Sequence, residues 1–316
     1  MNHASPAVAF CFDRHYARYC QVALFSLIVS HGRNVRIHCI CTDDVAAVDI
    51  DNLQSLADRL GVDVRFLSVP ASGQVSGWTT SGHLTEGVYL RLLLPDLLPM
   101  EDKVLYLDCD VIVKKPLDDL YGVDIDRFRY AGVIDKLGSA TSRIDAPFRQ
   151  NYVNSGVLLM NLKALREDDA FEKMRVLHDT HRSKITWGDQ CLINIYAHEH
   201  VRVLDEQYNF QVSHAGFRRE KWLEVCEGKA IYHFVGDTKP WHARARRHIS
   251  EFWWGFARAL DCERLRPIRS STYTECMVEC ESLEEYDEYR KACEVKDRII
   301  RSFVSHVKNS KAAGVA

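Results

Sequence analysis

Two aspartates one residue apart, Asp108 and Asp110, interrupt the apolar stretch KVLYLDCDVIV at residues 103–113. The β-branched and aromatic residues around them predict a buried strand, and residues i and i+2 of an extended segment point to the same side. Two carboxylates aimed at one spot repel each other, and a divalent cation between them relieves that repulsion. A surface turn with two solvated acids is the alternative, and the apolar runs on both sides weigh against it.

The stretch YHFVGDTKPWH, residues 232–242, offers a third metal ligand. His233 lies in a predicted strand that ends in a turn at Gly236, and Lys239 follows shortly after. Two aspartates and a histidine make an oxygen and nitrogen ligand set that suits Mn²⁺ or Mg²⁺, and a nearby lysine can hold phosphate. A buried histidine that stands alone is more often a core residue, so both interpretations of His233 stay open.

Other residues of metal-binding type do not form such a pattern. The eleven cysteines are an odd number without a Cys-x-x-Cys pair, which indicates reduced, mostly packed thiols and neither a disulfide framework nor a zinc site. The HEH sequence at residues 198–200 contains metal-binding types, but a solvated helix end accounts for it better.

Short apolar runs alternate with helical patterns along the chain, which predicts an α/β fold. Residues 8–12, 35–42 and 64–69 have strand character, with helices at residues 19–29 and 45–60 between them. This order indicates a mostly parallel, Rossmann-like sheet, whose carboxyl edge is where ligands bind. FDRHY follows the first strand, where a dinucleotide-binding protein has G-x-G-x-x-G, so a nucleotide held in that way is not expected. Further strands are predicted at KVLYL, YAGVI, GVLLMNL, VRVLD and KAIYHF, and further helices at residues 87–94, 164–178, 190–197 and 246–260.

The composition is that of an ordinary soluble globular chain. With 316 residues, of which 47% are hydrophobic, the chain is long enough to bury a large core. Its net charge of −3 gives no overall reason to expect nucleic acid as a partner. The start, MNHASPAVAFCF, lacks a signal-peptide pattern, and no segment reaches about 18 apolar residues, so a cytoplasmic protein is expected.

Several separate motifs resemble those of the family 8 retaining glycosyltransferases, which include bacterial lipopolysaccharide galactosyl- and glucosyltransferases and glycogenins. They occur in matching order between about Val8 and His242: FDRHYARYCQVALFSL, YLRLLLPDLLP, KVLYLDCDVIV, VNSGVLLMNL, WGDQCLIN, YNF and HFVGDTKPWH. The resemblance implies a GT-A fold, a UDP-sugar donor and retention of the anomeric configuration. Arg14 and His15 depart from the small polar or acidic residues common at these positions, so contacts to the ribose stay open.

The resemblance also implies roles for individual residues. The ligands of the metal would be Asp108, Asp110 and His233. The nucleotide would be held by Asp13 and Tyr16 at the uracil and by His83 and Lys239 at the diphosphate, with Gly236 as a further donor-binding residue. The sugar pocket would be lined by Arg91, Asp135, Asn154, Asp189 and Gln190, of which Asn154, Asp189 and Gln190 are the candidate catalytic residues. Asp189 has a second interpretation, as a cap of the helix that begins beside it.

The reaction implied is transfer of a hexose, glucose or galactose, from a UDP-hexose to a glycan or glycolipid of the cell surface. The metal and Lys239 would stabilise the charge that develops on UDP, and Asp189 and Gln190 the oxocarbenium-like sugar. A glutamine is a poor nucleophile, which favours attack by the acceptor hydroxyl from the side of the leaving group over a covalent intermediate. A nucleotide-sugar pyrophosphatase and a non-catalytic glycan-binding protein are the alternative functions.

The resemblance ends near residue 260, which predicts a catalytic domain at residues 1–260 and a C-terminal helical extension at residues 261–316. Residues 275–288 contain seven acids and no base, whereas residues 289–316 contain seven Lys and Arg against two acids. Apolar residues at helical spacing between residues 295 and 307 predict an amphipathic helix. Such a helix either docks on the catalytic domain or a partner subunit, as in self-association, or makes a peripheral contact with an anionic membrane.

Overall fold

A computed structural model describes residues 5–70, 73–75, 77–78, 85–213, 222, 225, 227–242 and 245–260. The chain divides into two compact units, one formed by residues 1–211 and 228–233 and the other by residues 212–227 and 234–316. The predicted extension at residues 261–316 lies outside the described residues, and its boundary at residue 260 stays a prediction.

A seven-stranded mixed sheet forms the centre of the first unit. Its strands lie side by side in the order β3 (Val64–Val69), β2 (Arg36–Thr42), β1 (Ala7–Phe12), β4 (Lys103–Leu107), β7 (Val153–Asn161), β6 (Tyr130–Ile134) and β8 (Val201–Val203). Strand β7 runs antiparallel to both of its neighbours, and the other pairings are parallel. All six residues of β1 are buried, as expected for a strand that is covered on both faces. The predicted, mostly parallel α/β sheet is confirmed.

A three-stranded sheet corrects the prediction that residues 103–113 form one strand. Its order is β5 (Val111–Val113), β10 (Ile231–Phe234) and β9 (Phe210–Val212), with β10 antiparallel to β5. The chain leaves the central sheet after β4, turns at Asp108–Asp110 and enters this second sheet as β5. The two aspartates therefore occupy a turn between two sheets and not an extended strand.

Four long helices agree with the sequence to within two residues at each end: α1 (Ala17–His31), α2 (Ala47–Leu60), α8 (Asp189–Ala197) and α9 (Arg247–Ala259). The single helix predicted at residues 164–178 is two, α6 (Leu162–Glu167) and α7 (Ala170–His181), because Asp169 between them has a φ of 51°. Such a backbone interrupts a right-handed helix.

The remaining helices are short. The helix predicted at residues 87–94 is a 3₁₀ helix, Glu86–Leu93, followed by α3 (Leu94–Leu97). Helices that the sequence did not predict are α4 (Asp118–Tyr121), α5 (Lys136–Thr141) and the 3₁₀ turns Ala146–Arg149, Arg182–Lys184 and Glu206–Asn209.

The second unit contains α9, which packs through aromatic side chains. Trp253 is fully buried, and its ring lies against those of Trp241 and Trp254. Trp254 Nε1 donates a hydrogen bond of 3.0 Å to the carbonyl oxygen of Pro240. The apolar bodies of these rings are removed from water while an indole N–H keeps a partner, which makes their burial favourable.

The described residues allow two further comparisons with the sequence, on the state of the cysteines and on the presence of long apolar helices. Among the described residues, six cysteines are free and buried: Cys11, Cys20, Cys39, Cys41, Cys109 and Cys191. This agrees with packed, reduced thiols. None of the helices in the described ranges is long and apolar enough to cross a membrane.

A buried charge cluster joins β2 to the segment before β4. Glu101 Oε2 lies 2.7 Å from Arg36 Nη2, and Glu101 Oε1 lies 3.1 Å from His38 Nε2. Burial raises the pKa of Glu101, but hydrogen bonds from Arg36 and His38 outweigh burial and leave this pKa below its usual value of 4.5. Burial also lowers the pKa of His38 below its usual 6.5, although Glu101 opposes it. At neutral pH the cluster therefore holds an ionised Glu101 and a neutral His38.

We predict that Glu101→Gln lowers the free energy of unfolding at pH 7 by about 2 kcal/mol, because it removes a charged hydrogen-bond acceptor from the buried His38 and the partly exposed Arg36. A carboxyl group with a lowered folded-state pKa stabilises the fold above its unfolded pKa, and that contribution is lost as the pH falls through the folded-state pKa. The difference between wild type and variant should therefore shrink below about pH 4.5.

Urea unfolding at several pH values measures this difference. Asp51→Asn, at an exposed position on α2, serves as the control and should change the stability by less than about 0.5 kcal/mol. A difference that stays constant down to about pH 3 would show that Glu101 does not stabilise the fold through its charge.

Candidate active site

Asp108, Asp110 and His233 lie together in the first unit. The two aspartates flank the turn between β4 and β5, and His233 on β10 pairs with Val111 of β5. His233 Nε2 is 3.5 Å from Asp108 Oδ2 and 3.3 Å from Asp110 Oδ1. One ligand atom from each residue lies within 4.8 Å of the others, and no second metal-capable group of three or more His, Cys, Asp or Glu occurs in the part of the chain that the structure describes.

The donor atoms and the space around them fit a divalent cation. Two carboxylate oxygens and one imidazole nitrogen are a set that suits Mn²⁺ or Mg²⁺. A Cβ atom at Gly156 would lie 2.5 Å from Asp108 Oδ2 and would overlap His233 Cε1, so only glycine leaves room for both side chains. The HEH sequence at residues 198–200 is different: it follows the end of α8, and the Glu199 side chain is 76% exposed.

Arg91 connects the cluster of Asp108, Asp110 and His233 to Asp189. It extends from the 3₁₀ helix Glu86–Leu93, and its Nη2 lies 3.0 Å from Asp108 Oδ1 while its Nε lies 3.2 Å from Asp189 Oδ2. Its guanidinium also lies over the ring of Tyr106, 4.4 Å from the centroid, and donates to the Ser155 carbonyl oxygen at 2.7 Å. Arg91 is therefore fixed by partners on several sides.

Asp189 is the first residue of α8 and is nearly inaccessible to water. Burial raises the pKa of its carboxyl group to about 6, although the charge of Arg91 lowers it. The N-cap of α8 is Gly188, which makes no side-chain cap, so Asp189 does not hold the capping position that the sequence left open. Gly188 has φ 53° and ψ −127°, a conformation that only glycine adopts readily. This turn aims Asp189 towards Arg91.

Asn154, Gln190 and Asp135 form a buried hydrogen-bond network. Asn154 Nδ2 donates to Gln190 Oε1 at 3.1 Å and to Asp135 Oδ2 at 3.3 Å, and Gln190 Nε2 donates to Asp135 Oδ2 at 3.1 Å. The other carboxylate oxygen of Asp135 accepts from the backbone N–H of Gly138 at 2.7 Å. These three predicted sugar-pocket residues come together in the structure.

The two residues assigned to the uracil follow β1. Asp13 is buried, and its oxygens accept hydrogen bonds from the His15 backbone N–H at 2.8 Å and from Thr85 Oγ1 at 2.6 Å. Tyr16 precedes the first turn of α1. Burial raises the pKa of its phenol, and the charges of Asp110 and Asp108 raise it further. The phenol thus lies within the electrostatic field of these two carboxylates, while its role towards a nucleotide stays a prediction.

The other three residues assigned to the donor, His83, Gly236 and Lys239, lie outside the part of the first unit that the structure describes. Gly236 and Lys239 belong to the second unit. Gly236 has a φ of 88°, in agreement with the predicted glycine turn, and Lys239 Nζ donates to the Phe234 carbonyl oxygen at 3.0 Å. His83 lies outside the described residues. Their contacts with the donor stay predictions.

Four residues contribute to the cluster without having been singled out from the sequence: Tyr106, Ser155, Gly156 and Asn209. Tyr106 donates a hydrogen bond of 2.5 Å to Asp108 Oδ1, and Ser155 donates its backbone N–H to Gln190 Oε1 at 3.1 Å. Asn209 accepts from His233. All four lie inside motifs that the resemblance rests on, so the motifs located them without showing what they bind.

Comparison with known proteins agrees with this geometry. The sequence model of the family described as "Glycosyl transferase family 8" matches residues 7–245. Glycosyltransferase GlyA of Streptococcus pneumoniae is 30% identical over 227 residues, which are 72% of this chain and 31% of GlyA. Glycosyltransferase GlyE of the same organism is 25% identical over 264 residues, which are 81% of this chain and 62% of GlyE. The chain therefore spans less than two thirds of these curated relatives.

Solved structures show the same fold. The galactosyltransferase LgtC, crystallised with donor and acceptor sugar analogs, superposes with a TM-score of 0.70 at 24% identity, over 81% of this chain and 96% of LgtC. The crystal structure of S. pneumoniae GlyE superposes with a TM-score of 0.62 at 25% identity, over 81% of this chain and 63% of that one. The GT-A fold expected from the sequence is thus confirmed. Because the family match covers most of the chain and includes every described member of the cluster, this chain belongs to glycosyl transferase family 8.

Proposed function

We propose that the chain transfers a hexose, with retention of configuration, from a UDP-hexose to a hydroxyl group of a glycan or glycolipid. The observation that carries the proposal is the convergence of the Asp108, Asp110 and His233 ligand set with the buried Arg91–Asp189 pair. LgtC is a galactosyltransferase, which supports galactose as the hexose, with glucose as the other candidate.

The metal-binding residues would hold Mn²⁺ or Mg²⁺, which would supply Lewis-acid stabilisation for the negative charge of the leaving diphosphate. The residues of the chain would position the donor. Asp13 and Tyr16 would hold the uracil by hydrogen bonding and stacking, and His83 and Lys239 would contact diphosphate oxygens. No acidic side chain has to protonate the leaving group, because these contacts would stabilise UDP as an anion.

During transfer the bond between the anomeric carbon and the β-phosphate oxygen breaks, and its electron pair leaves with UDP. The acceptor oxygen bonds to the anomeric carbon on the same face, and its proton passes to that phosphate oxygen. Asp189 would stabilise the oxocarbenium-like sugar by its charge and Gln190 by its amide dipole.

The bonding of Asp189 and Gln190 supports this route over a covalent intermediate. Asp189 Oδ2 faces Arg91 Nε at 3.2 Å, and Gln190 Oε1 already accepts from Ser155 N and Asn154 Nδ2, each at 3.1 Å. The Gln190 oxygen, which two donors already hold, is a weak nucleophile but an effective fixed dipole, and the Asp189 carboxylate beside the charge of Arg91 is an effective fixed charge.

Incubation with a panel of UDP-sugars should give hydrolysis or transfer that depends on Mn²⁺ or Mg²⁺, with a UDP-hexose as the best donor. If the donor carries an α-linked hexose, the glycoside formed should also be α, because both bond changes occur on one face. The coupling constant of the anomeric proton in the NMR spectrum reports the configuration. A β product would contradict the retaining mechanism.

Removal of a metal ligand should weaken nucleotide binding. We expect Asp110→Asn and His233→Ala each to lower the affinity for UDP in the presence of Mn²⁺ at least about tenfold, a loss of about 1.4 kcal/mol or more. Isothermal titration calorimetry measures the affinity with Mn²⁺ and with EDTA. Asp51→Asn, on the exposed side of α2, is the matched charge-removal control. Equal binding of UDP by the wild type in EDTA would rule out the metal site.

Asp189→Asn should lower turnover about 100-fold while the affinity for UDP stays within about threefold, because the charge acts on the sugar and not on the nucleotide. The carboxyl group has a pKa of about 6, so wild-type turnover should fall as the pH drops through that value and the carboxylate is protonated. The variant has no carboxylate to protonate at this position, so its turnover should not show this fall at acidic pH. A variant whose profile keeps the fall would place the titrating group elsewhere.

A further inference from the structure

A row of buried hydrogen bonds leads from the backbone of β7 towards His233. Gln190 Oε1 accepts from the Ser155 backbone N–H at 3.1 Å, and Asn154 Oδ1 accepts from the Gly156 backbone N–H at 3.0 Å. A backbone N–H can only donate, so in both amides the group that faces β7 must be the carbonyl oxygen. These two backbone groups therefore fix the orientation of both amide side chains.

The same reasoning fixes Asn209, which stands at the end of the 3₁₀ turn Glu206–Asn209 and is 1% exposed. Asn154 Oδ1 can only accept, so the Asn209 atom that lies 2.9 Å from it must be the donor Nδ2. Asn209 Oδ1 then faces His233 Nδ1 at a distance of 3.1 Å. A carbonyl oxygen cannot donate, so the proton of this hydrogen bond must belong to His233 Nδ1.

A neutral imidazole carries a single N–H, so a proton on Nδ1 leaves Nε2 with a free lone pair. Nε2 is the atom that faces Asp108 Oδ2 at 3.5 Å and Asp110 Oδ1 at 3.3 Å. The hydrogen bond of one ring nitrogen thus decides which nitrogen is presented to a cation.

We infer that Asn209 is a positioning residue that holds His233 in the tautomer able to bind metal through Nε2, and that it links this histidine to the amides of Asn154 and Gln190. The inference rests on the proposed metal-dependent transfer. Within the network, the backbone N–H groups of β7 fix the orientation of the amide side chains, and the amides in turn fix the tautomer of His233.

Two substitutions separate the two hydrogen bonds of Asn209. Asn209→Leu removes both. Asn209→Asp keeps an acceptor for His233 Nδ1 but places a second acceptor against Asn154 Oδ1. Asn194→Leu is the control for the loss of a buried amide, because Asn194 is also 1% exposed and bonds only backbone groups, of Val153 at 2.8 and 2.9 Å and of Gln190 at 2.8 Å, with no hydrogen bond to His233 in the described structure.

The tautomer is read by ¹⁵N NMR of protein labelled at its histidine side chains, at about pH 8.5, some two units above the usual imidazole pKa. The signal of His233 among the 14 histidines is assigned by its loss in His233→Gln. Mn²⁺ affinity is measured by calorimetry on the same samples. If Asn209 only stabilised the fold, its substitution would lower the stability without moving the ring proton of His233.

We expect the proton on Nδ1 in the wild type, Asn194→Leu and Asn209→Asp, and loss of this preference in Asn209→Leu. Mn²⁺ affinity should fall about 10- to 100-fold in Asn209→Leu and stay within about threefold in Asn209→Asp and Asn194→Leu. Turnover of the UDP-hexose should nevertheless fall about tenfold or more in Asn209→Asp, because Asn154 loses its donor and the sugar-pocket amides shift.

A wild-type protein with the proton on Nε2 would overturn the inference, and so would wild-type tautomer and Mn²⁺ affinity in a folded Asn209→Leu. If Asn209→Leu does not fold, the wild-type tautomer and Asn209→Asp still decide the matter. Failure of the wild type to bind Mn²⁺ would instead refute the proposed function, and the position of the ring proton would show separately whether the hydrogen-bond reasoning holds.

Discussion

Repulsion between the carboxylates of Asp108 and Asp110 is the constraint on which the rest of the site depends. One ligand oxygen of each lies within 4.8 Å of the other, and Asp110 is only 4% exposed, so water cannot screen the charges well. The two carboxylate oxygens of Asp108 have different partners. Its Oδ1 accepts from Tyr106 and pairs with Arg91, whereas its Oδ2 faces His233. This division leaves one oxygen of Asp108 directed at the space where a cation fits.

The positive charge of Arg91 offsets the repulsion between the acidic side chains of the site. A buried guanidinium loses its hydration, and only close carboxylates and good hydrogen bonds compensate for that loss. Arg91 meets this condition with Asp108 on one side and Asp189 on the other. The pairing has a structural consequence: Asp108, the proposed metal ligand, and Asp189, the proposed sugar contact, are held by the same side chain. A shift at either end would disturb the other, so the two halves of the site are energetically coupled.

The polar network beyond Arg91 is oriented by the direction of one strand. Because β7 runs antiparallel to its neighbours, its amino end lies at the edge where the parallel strands end, and Val157 pairs with Leu107. Asp108 N donates to the carbonyl oxygen of Gly156 at 2.8 Å, and the N–H groups of Ser155 and Gly156 are left for the side chains of Gln190 and Asn154. Dipoles that are fixed before substrate binds need little reorganisation during the reaction.

Much of this arrangement was predictable because it depends on local patterns. The apolar runs of β1, β2 and β4 and the periodicity of α1 and α2 placed Asp108 and Asp110 at the carboxyl edge of a sheet, and the types of Asp108, Asp110 and His233 indicated a cation. The family motifs contain Arg91, Asn154, Asp189 and Gln190, which the structure brings together in two adjoining pairs. Local patterns also misled: KVLYLDCDVIV has the composition of one strand, but its two halves join different sheets, which no property of eleven consecutive residues reveals.

The sequence by itself thus determined the family, the sheet and the ligand types, since side-chain chemistry and hydrophobic periodicity are encoded residue by residue. The tertiary structure decided the partners. Asn209 and His233 are distant from Asn154 along the chain, and Arg91 is distant from Asp189, so their contacts exist only after β7, α8 and β10 have packed. The pKa of Asp189, the orientation of the amides and the ring proton of His233 follow from burial and from hydrogen bonds between remote segments. These are properties of the folded arrangement and not of any residue alone.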